Sequence, residues 1–428
     1  MTTIESRPTQ ILKSISQTAY DFPTWYHNLP TTILIKIFSF FDEKELLLHI
    51  IPVCKRWKYA GLNPLLWKTF QVSGEQVPTY FICHKLRDWC YLTTVRLNAI
   101  SEPLIVIRQI SRCLPNLKNF ALRNSGVIPE SCLRNLIQCC KHLELIDLSG
   151  TQFKANRFYE EIAGLTNLKS INFSKNIFLN VHNLLSIVLN CHKLEELKLA
   201  SFTPVKPEKS LSDEDILFII TNLAAELKSL TLDASNLTNF SFKAIMQCSK
   251  LEKLGLYGAR NISSDVFINI PKYLHNLKVL KIRDAHLITG TNLAEFFCCG
   301  KTAMGNLTSI DFTGCWKLSD IGVKAIAQCC PILEYLRLKS CKGVQNLSPI
   351  RDHCIKLKIL NVAFCFNLDP STILPLPEQL KVLIVDKNNS FCSFIPDILN
   401  NAKVTIKMCL SEYNKEMEDY KLNAINEN

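Results

Sequence analysis

No apolar run in this chain of 428 residues approaches the roughly 18 residues needed to cross a bilayer. Nor does a basic flank lead into a hydrophobic stretch near the start, as a secretory signal would require. A spanning or exported protein is therefore not expected. Glycine is scarce, with 13 residues, while 47% of the chain is hydrophobic, a balance that argues against extensive disorder and supplies a continuous core. Charge comes in no long blocks. Lys and Arg outnumber Asp and Glu by 49 to 38, a formal +11, but the basic residues are scattered, so charge gives no reason to expect nucleic acid.

Catalytic signatures are equally absent. There is no Cys-x-x-Cys pair to suggest zinc, and no nucleophile elbow, metal-binding helix motif or dinucleotide fingerprint. Gly300-Lys301-Thr302 ends like a phosphate loop, yet Glu295 stands where the earlier glycine is required. No enzyme activity, cofactor or metal is expected. His142, His192 and His275 sit just before repeated leucines, which suits a structural more than a catalytic role. The cysteine count of 19 is odd, and residues Ala424 to Asn428 offer no prenylation site. Without a secretory signal the thiols are expected to be reduced, in a cytoplasmic or nuclear setting and away from membranes.

What the sequence does have is a period. Leu-x-x-Leu-x-Leu or a close variant begins at Leu92, Leu117, Leu143, Leu168, Leu194, Leu227, Leu251, Leu277, Leu307, Leu333, Leu357 and Leu380. Clear examples are Leu143 to Leu148 and Leu333 to Leu338. Numbering each unit from its first leucine, apolar residues occupy positions 1, 4 and 6. That is a short strand facing a core, and a helix then carries the chain back to the next layer. In the helix after Ser319, Ile321, Ala325 and Ile326 are expected on one face with Asp320 as cap. Cysteine recurs in the same register. It ends helices at Cys113, Cys139, Cys140, Cys191, Cys248, Cys329, Cys330 and Cys354, and occupies position 9 at Cys315, Cys341 and Cys365. A thiol repeating with the core reads as a packing element near turn backbone groups. Ser125, Thr151, Asn176 and Ser235 take position 9 elsewhere.

These residues, and the stretch Cys315 to Cys341 above all, resemble the cysteine-containing leucine-rich repeats. The resemblance implies an α/β solenoid, with a curved parallel sheet on the concave side and helices on the convex side. About twelve units are expected over residues 71–408, with tails at 1–24 and 409–428. The longer interval from Leu194 to Leu227, with Pro204, Pro207 and the charged run Glu208 to Asp215, reads as an exposed loop. The tail from Ser411 is polar.

Residues 25–70 are a different module. Pro30 suits a first helical turn, and Ile33, Leu34, Ile37, Phe38 and Phe41 form an apolar stripe. Asp42 and Glu45 fit a capping arrangement for a second helix, and a third carries Val53-Cys54-Lys55-Arg56-Trp57. Leu29-Pro30, Ile37-Phe38-Ser39-Phe40, Val53 to Trp57 and Leu66-Trp67, in that order, resemble an F-box. The resemblance implies a three-helix domain docking a Skp-family adaptor and, through it, the cullin scaffold of a ubiquitin ligase. Carried over by residue, it assigns Leu29, Pro30, Ile33, Leu34, Ile37 and Phe38, with Val53, Cys54, Trp57 and Trp67, to the adaptor surface, some of them serving instead as the domain's own core. So small an apolar-rich domain favours a partner over its exposed part. Trp67 precedes Leu92 by one repeat length, so Trp67 to Val72 is a candidate first rung.

The implied role is a non-catalytic receptor that holds a target protein on the concave face. Lys253, Tyr257, Lys281, Arg283, Tyr335, Arg337 and Lys339 fall between the buried leucines there, interrupted by Asp311. Such a row suits an acidic or phosphorylated segment, and solvated strand charges are the plainer alternative. A non-degradative scaffold stabilised by the adaptor, and a repeat-type GTPase activator or enzyme inhibitor, are the competing functions; a complete F-box argues against the latter.

Overall fold

The computed structural model describes residues 29–74, 76–154, 157–178, 181–200, 211–300, 304–386 and 404–409. Two compact units divide the chain, Met1–Thr69 and Phe70–Asn428.

In the first unit Pro30 stands at φ −53° ahead of helix α1 (Thr31–Phe38), whose Leu34 and Phe38, one turn apart, are buried. Helix α2 opens at Glu43–Glu45 through a full capping box. Glu45 N donates to Asp42 Oδ1 at 2.7 Å, and Asp42 N donates to Glu45 Oε2 at 2.9 Å, which satisfies backbone donors the helix cannot. It continues as a wider π-helical turn over Leu46–Ile50, in which Ile51 N donates to Leu46 O at 2.9 Å. Helix α3 (Lys55–Gly61) is capped by Cys54 Sγ, which accepts from Trp57 N at 3.4 Å. Phe38 meets Trp57 edge to face at 5.1 Å between centroids, and Glu43 Oε1 accepts from Lys68 N and Thr69 N at 2.9 and 2.6 Å. Aromatic packing and one carboxylate thus close a core that area alone barely sustains at this size.

Among the described residues the second unit is a single open sheet whose fourteen strands follow sequence order. They are β1 (Thr69–Ser73), β2 (Thr94–Asn98), β3 (Asn119–Arg123), β4 (Leu145–Asp147), β5 (Ser170–Asn172), β6 (Glu196–Lys198) and β7 (Ser229–Asp233), then β8 (Lys253–Tyr257), β9 (Val279–Ile282), β10 (Ser309–Asp311), β11 (Tyr335–Arg337), β12 (Ile359–Asn361), β13 (Val382–Asp386) and β14 (Thr405–Cys409). Pairings are parallel and in register, as in Ile310 with Leu336 and Leu336 with Leu360. Strands stack about 4.8 Å apart whereas packed helices need about 8–10 Å, so the layer curves toward its strands. This is a leucine-rich repeat fold. Positions 1, 4 and 6, such as Leu333, Leu336 and Leu338, are buried in one continuous core. β1 forms the rung anticipated at Trp67 to Val72. β14 was not anticipated, because Lys403 occupies the position where the other units carry leucine.

Three interactions repeat with the units. First, position 9 donates to the carbonyl of position 6 one unit back: Cys315 Sγ to Ile282 O at 3.4 Å, Cys341 Sγ to Phe312 O at 3.1 Å, Cys365 Sγ to Leu338 O at 3.0 Å. Thr151 Oγ1 makes the same bond to Leu122 O at 2.8 Å, so the break in the cysteine pattern preserves the chemistry. Second, the helix-end thiols of Cys140 and Cys330 donate to Leu114 O and Met304 O at 3.4 and 3.5 Å. Burial pushes the Cys140, Cys248 and Cys354 thiols up to about 12 and Cys191 to about 11; these are packing groups held as neutral thiols, not nucleophiles. Third, position 2 alternates in sign from Lys118 to Lys278 and again at Glu334 and Lys358. Glu144 pairs with Lys118 at 3.0 Å and Lys169 at 2.8 Å, Lys228 with Glu195 at 2.9 Å, Lys278 with Glu252 at 2.9 Å, and Lys358 with Glu334 at 2.7 Å. Water screens such exposed pairs; their consequence is that each of these five lysines already has a carboxylate.

Local details depart from expectation in two places. Ile321 is exposed, while Val323, Ala325 and Ile326 face the core. Asp320 does not cap its own helix (Asp320–Cys329); its Oδ1 accepts from Gln345 N and Asn346 N at 2.8 and 3.0 Å and so holds the next turn. Of the expected loop, Asp213 and Asp215 belong to the helix Asp213–Leu223, capped by Ser212; the segment at 201–210 and the tail from Ser411 lie outside the described residues. His142, His192 and His275 are exposed.

Position 8 turns through positive φ in most units, at Gly74, Ala99, Asn124, Gly150, Lys175, Gly258, Asp284, Gly314, Ser340 and Phe364. Glycine is obligatory only where the preceding unit crowds it: a Cβ on Gly150 would lie 2.1 Å from Asn124 Oδ1, and one on Gly314 2.2 Å from Asp284 Oδ1. Gly150→Ala is expected to lower stability by ~1–3 kcal/mol, and Ala99→Gly to raise it by up to ~1 kcal/mol, both read from chemical unfolding midpoints. In the native protein, thiol labelling should reach Cys54, Cys90, Cys298 and Cys299, which are exposed, long before buried Cys341 or Cys365.

Candidate protein-interaction surfaces

The first unit leaves much of its apolar surface in solvent. Phe40 is 85% exposed, Leu48 59% and Val53 57%, and Ile33, Ile37, Phe41 and Leu47 are exposed with them. The helices explain this split. On α1, Leu34 and Phe38 point inward and Ile33 and Ile37 occupy the adjoining face, at the spacing of one turn. Of the residues assigned from sequence, Pro30, Ile33, Ile37, Val53 and Cys54 are exposed, and Leu29 and Trp57 are half-buried. Leu34, Phe38 and Trp67 are buried within the structure. Arg56 Nη2 donates to Leu29 O, which anchors the start of α1. Phe40, Leu47 and Leu48 extend the exposed apolar surface; they were not singled out because a helical stripe marks one face, whereas here the outward face is apolar too.

On the open face of the repeats, positions 3, 5 and 7 project between the buried rows. Lys253 is exposed, and Tyr257, Lys281, Tyr335 and Arg337 are half-buried. Arg283 and Lys339, however, are each only 2% exposed. Asp311, far from merely interrupting the row, is its hub. Arg283 Nε and Nη2 both reach Asp311 Oδ2, at 2.9 and 2.6 Å, and Arg337 Nη1 reaches the same oxygen at 3.2 Å. The other oxygen accepts from Thr313 N and Oγ1 at 3.0 and 2.7 Å. Burial alone would raise the Asp311 carboxyl, but the two guanidinium groups and the Thr313 hydroxyl outweigh it and hold it well below the usual carboxylate range. Tyr257 covers the Arg283 guanidinium at 4.5 Å. Lys339 stretches across two intervening strands to Cys409 Sγ at 3.2 Å and lies over the Phe364 ring at 5.3 Å; Ala363, small and buried, occupies the same position in the next unit, just past β12. Farther back, Glu196 accepts from Ser170 Oγ at 2.6 Å and pairs with Lys198 at 2.8 Å. Desolvation raises its carboxyl, and Lys198, Ser170 and Lys253 overcome that to bring it down to about 2.

Among the described residues no cluster of His, Cys, Asp or Glu is placed to hold a metal ion. What the open face offers is charge, hydroxyl groups and aromatic area fixed on a rigid sheet, the material of protein recognition.

Two consequences can be measured. Asp311→Ala leaves two arginines without their counterion, one fully buried, and is expected to cost ~3–5 kcal/mol. Asp311 and Glu196 both have folded values below their unfolded ones, so their contribution is complete above about pH 4 and is lost as pH falls. An acid titration of unfolding free energy should therefore decline below that value, and less steeply in an Asp311→Asn Glu196→Gln variant.

The F-box-like family model matches residues 26–72. Among solved structures, the complex of Rad7 and Elc1 from yeast contains a chain that aligns with 98% of this chain and 100% of its own length, at TM-score 0.58 and 17% identity. An internalin from Listeria monocytogenes aligns over 80% of this chain and 87% of its own, at TM-score 0.43 and 17% identity. The helical unit with its exposed apolar face, the family match over it, and the ordered sheet of the second unit show that the chain carries an F-box-like domain followed in sequence by a leucine-rich repeat fold.

Proposed function

We propose that this protein is the substrate-recognition subunit of a Skp–cullin–F-box ubiquitin ligase. The F-box docks a Skp-family adaptor and through it a cullin, and the repeats hold a target protein for ubiquitination. The receptor itself performs no chemistry. The observation that carries this reading is the exposed apolar surface of the first unit, from Ile33 and Ile37 to Leu48 and Val53. A domain of this size with that much apolar area in water calls for a protein partner. The yeast chain of similar fold is found in a complex, that of Rad7 and Elc1, which supports the idea of a chain of this fold working beside a partner.

The target face in this reading is the open side of β8 to β11, where Lys253, Tyr257, Lys281, Tyr335 and Arg337 retain access to solvent. An acidic or phosphorylated segment suits it. Arg283 and Lys339 contribute by shaping the face and raising its potential from below. The setting is cytoplasmic or nuclear, where the thiols remain reduced.

Ile33→Glu Ile37→Glu is expected to abolish co-purification of the adaptor while leaving the unfolding of the repeats unchanged, because both side chains are exposed. Leu34→Ala, in the core, should instead destabilise the F-box by ~2–5 kcal/mol. Undiminished adaptor recovery with the double glutamate variant would refute the proposed docking surface.

A further inference from the structure

Position 10 of five successive units carries Arg260, His286, Trp316, Lys342 and Phe366. These residues follow the strands at one rim of the sheet, just past the positive-φ turn at position 8. Trp316 and Phe366 are each 47% exposed. Their rings are held in place. His286 stacks on Trp316 at 4.3 Å and 22°, and Lys342 Nζ stands 5.8 Å over Phe366. The backbone beneath is clamped as well. Gly343 N donates to Trp316 O at 3.2 Å, where a Cβ would come within 2.4 Å of Leu318 O, and Asn367 Nδ2 donates to Lys342 O at 2.8 Å.

The charge on this rim is of one sign. Arg260, Lys317 and Lys342 are exposed, and positions 10 and 11 of these five units hold no Asp or Glu. The position-2 lysines Lys118, Lys169, Lys228, Lys278 and Lys358 differ on this point, since each is matched by a glutamate. Uncompensated cations beside ordered, exposed aromatic rings favour an anionic partner that also brings apolar side chains.

We propose that this rim binds an extended acidic polypeptide segment, its carboxylates meeting Arg260, Lys317 and Lys342 and its apolar side chains resting on Trp316 and Phe366. The proposal rests on reading the repeats as the target-holding part, and it extends the target surface from the open face onto one edge. A nucleic-acid strand fits less well. Stacking platforms need open ring faces at successive steps, and here His286 already covers one face of Trp316 while Lys342 stands over one face of Phe366.

The test uses the full-length protein and three fluorescein-labelled probes: a synthetic peptide of interspersed Glu and Phe, the same peptide with Lys for Glu, and a single-stranded oligothymidylate. Anisotropy should show the Glu/Phe peptide bound, with a change in tryptophan emission, and the Lys peptide unbound. Trp316→Ala and, separately, Arg260→Glu Lys317→Glu should each weaken it about tenfold or more with unchanged thermal unfolding. Equal affinity in both variants, equal binding of the Lys peptide, or preferential binding of the oligothymidylate would overturn the proposal. Adaptor recovery measured on the same preparations separates the two readings. Its loss with peptide binding intact refutes the ligase assignment alone; peptide binding that fails with the adaptor retained refutes the rim alone.

Discussion

Register between neighbouring units is the constraint on which the rest depends. No unit can bury its leucine row by itself, so the apolar core exists only while each strand lies in step with the next. Hydrogen bonds from position 9 to a carbonyl one unit back tie that step, and the Lys–Glu pairs at position 2 bridge neighbouring units along it. Burial of thiols and hydroxyl groups against backbone acceptors leaves them satisfied within the core, where an unpaired polar group would be costly.

The same stacking distributes charge unevenly. Along position 2 every glutamate is paired with a lysine. On the open face two arginines converge on Asp311, leaving a rigid patch whose outermost members, Lys253 and Lys281, retain access to solvent. At the position-10 rim no carboxylate enters the row at all. One repeat geometry therefore produces a neutral edge, a braced basic face and an uncompensated rim, and each follows from which residue type recurs at a given position. The F-box solves a different problem, with Leu34, Phe38 and Leu46 buried, Trp57 packed against Phe38, and Ile33, Ile37, Phe40, Leu47, Leu48 and Val53 left exposed.

Much of this was legible in the residues because it is local. The period of the leucines gave the strands, Asp42 and Glu45 gave the capping box, and the spacing of Trp67 from Leu92 gave the first rung. The last strand was hidden by Lys403 in place of leucine. Alternation marks Arg283 and Lys339 as surface residues, but it cannot register burial by side chains arriving from strands further along, such as the Asp311 carboxylate or Cys409, 70 residues from Lys339. Arg283 was legible as a cation, not as a buried one. The rim lay in register all along at position 10, where a search led by apolar positions does not look.

The most direct measurement of the central claim is ubiquitin transfer to whatever the repeats capture. The wild-type chain and the Ile33→Glu Ile37→Glu variant would each be recovered from cells with the proteasome blocked, and ubiquitin on the captured proteins compared. A receptor predicts the same captured proteins in both, ubiquitinated only with the wild-type F-box. Capture with identical ubiquitination in both would contradict the account and make the protein a scaffold.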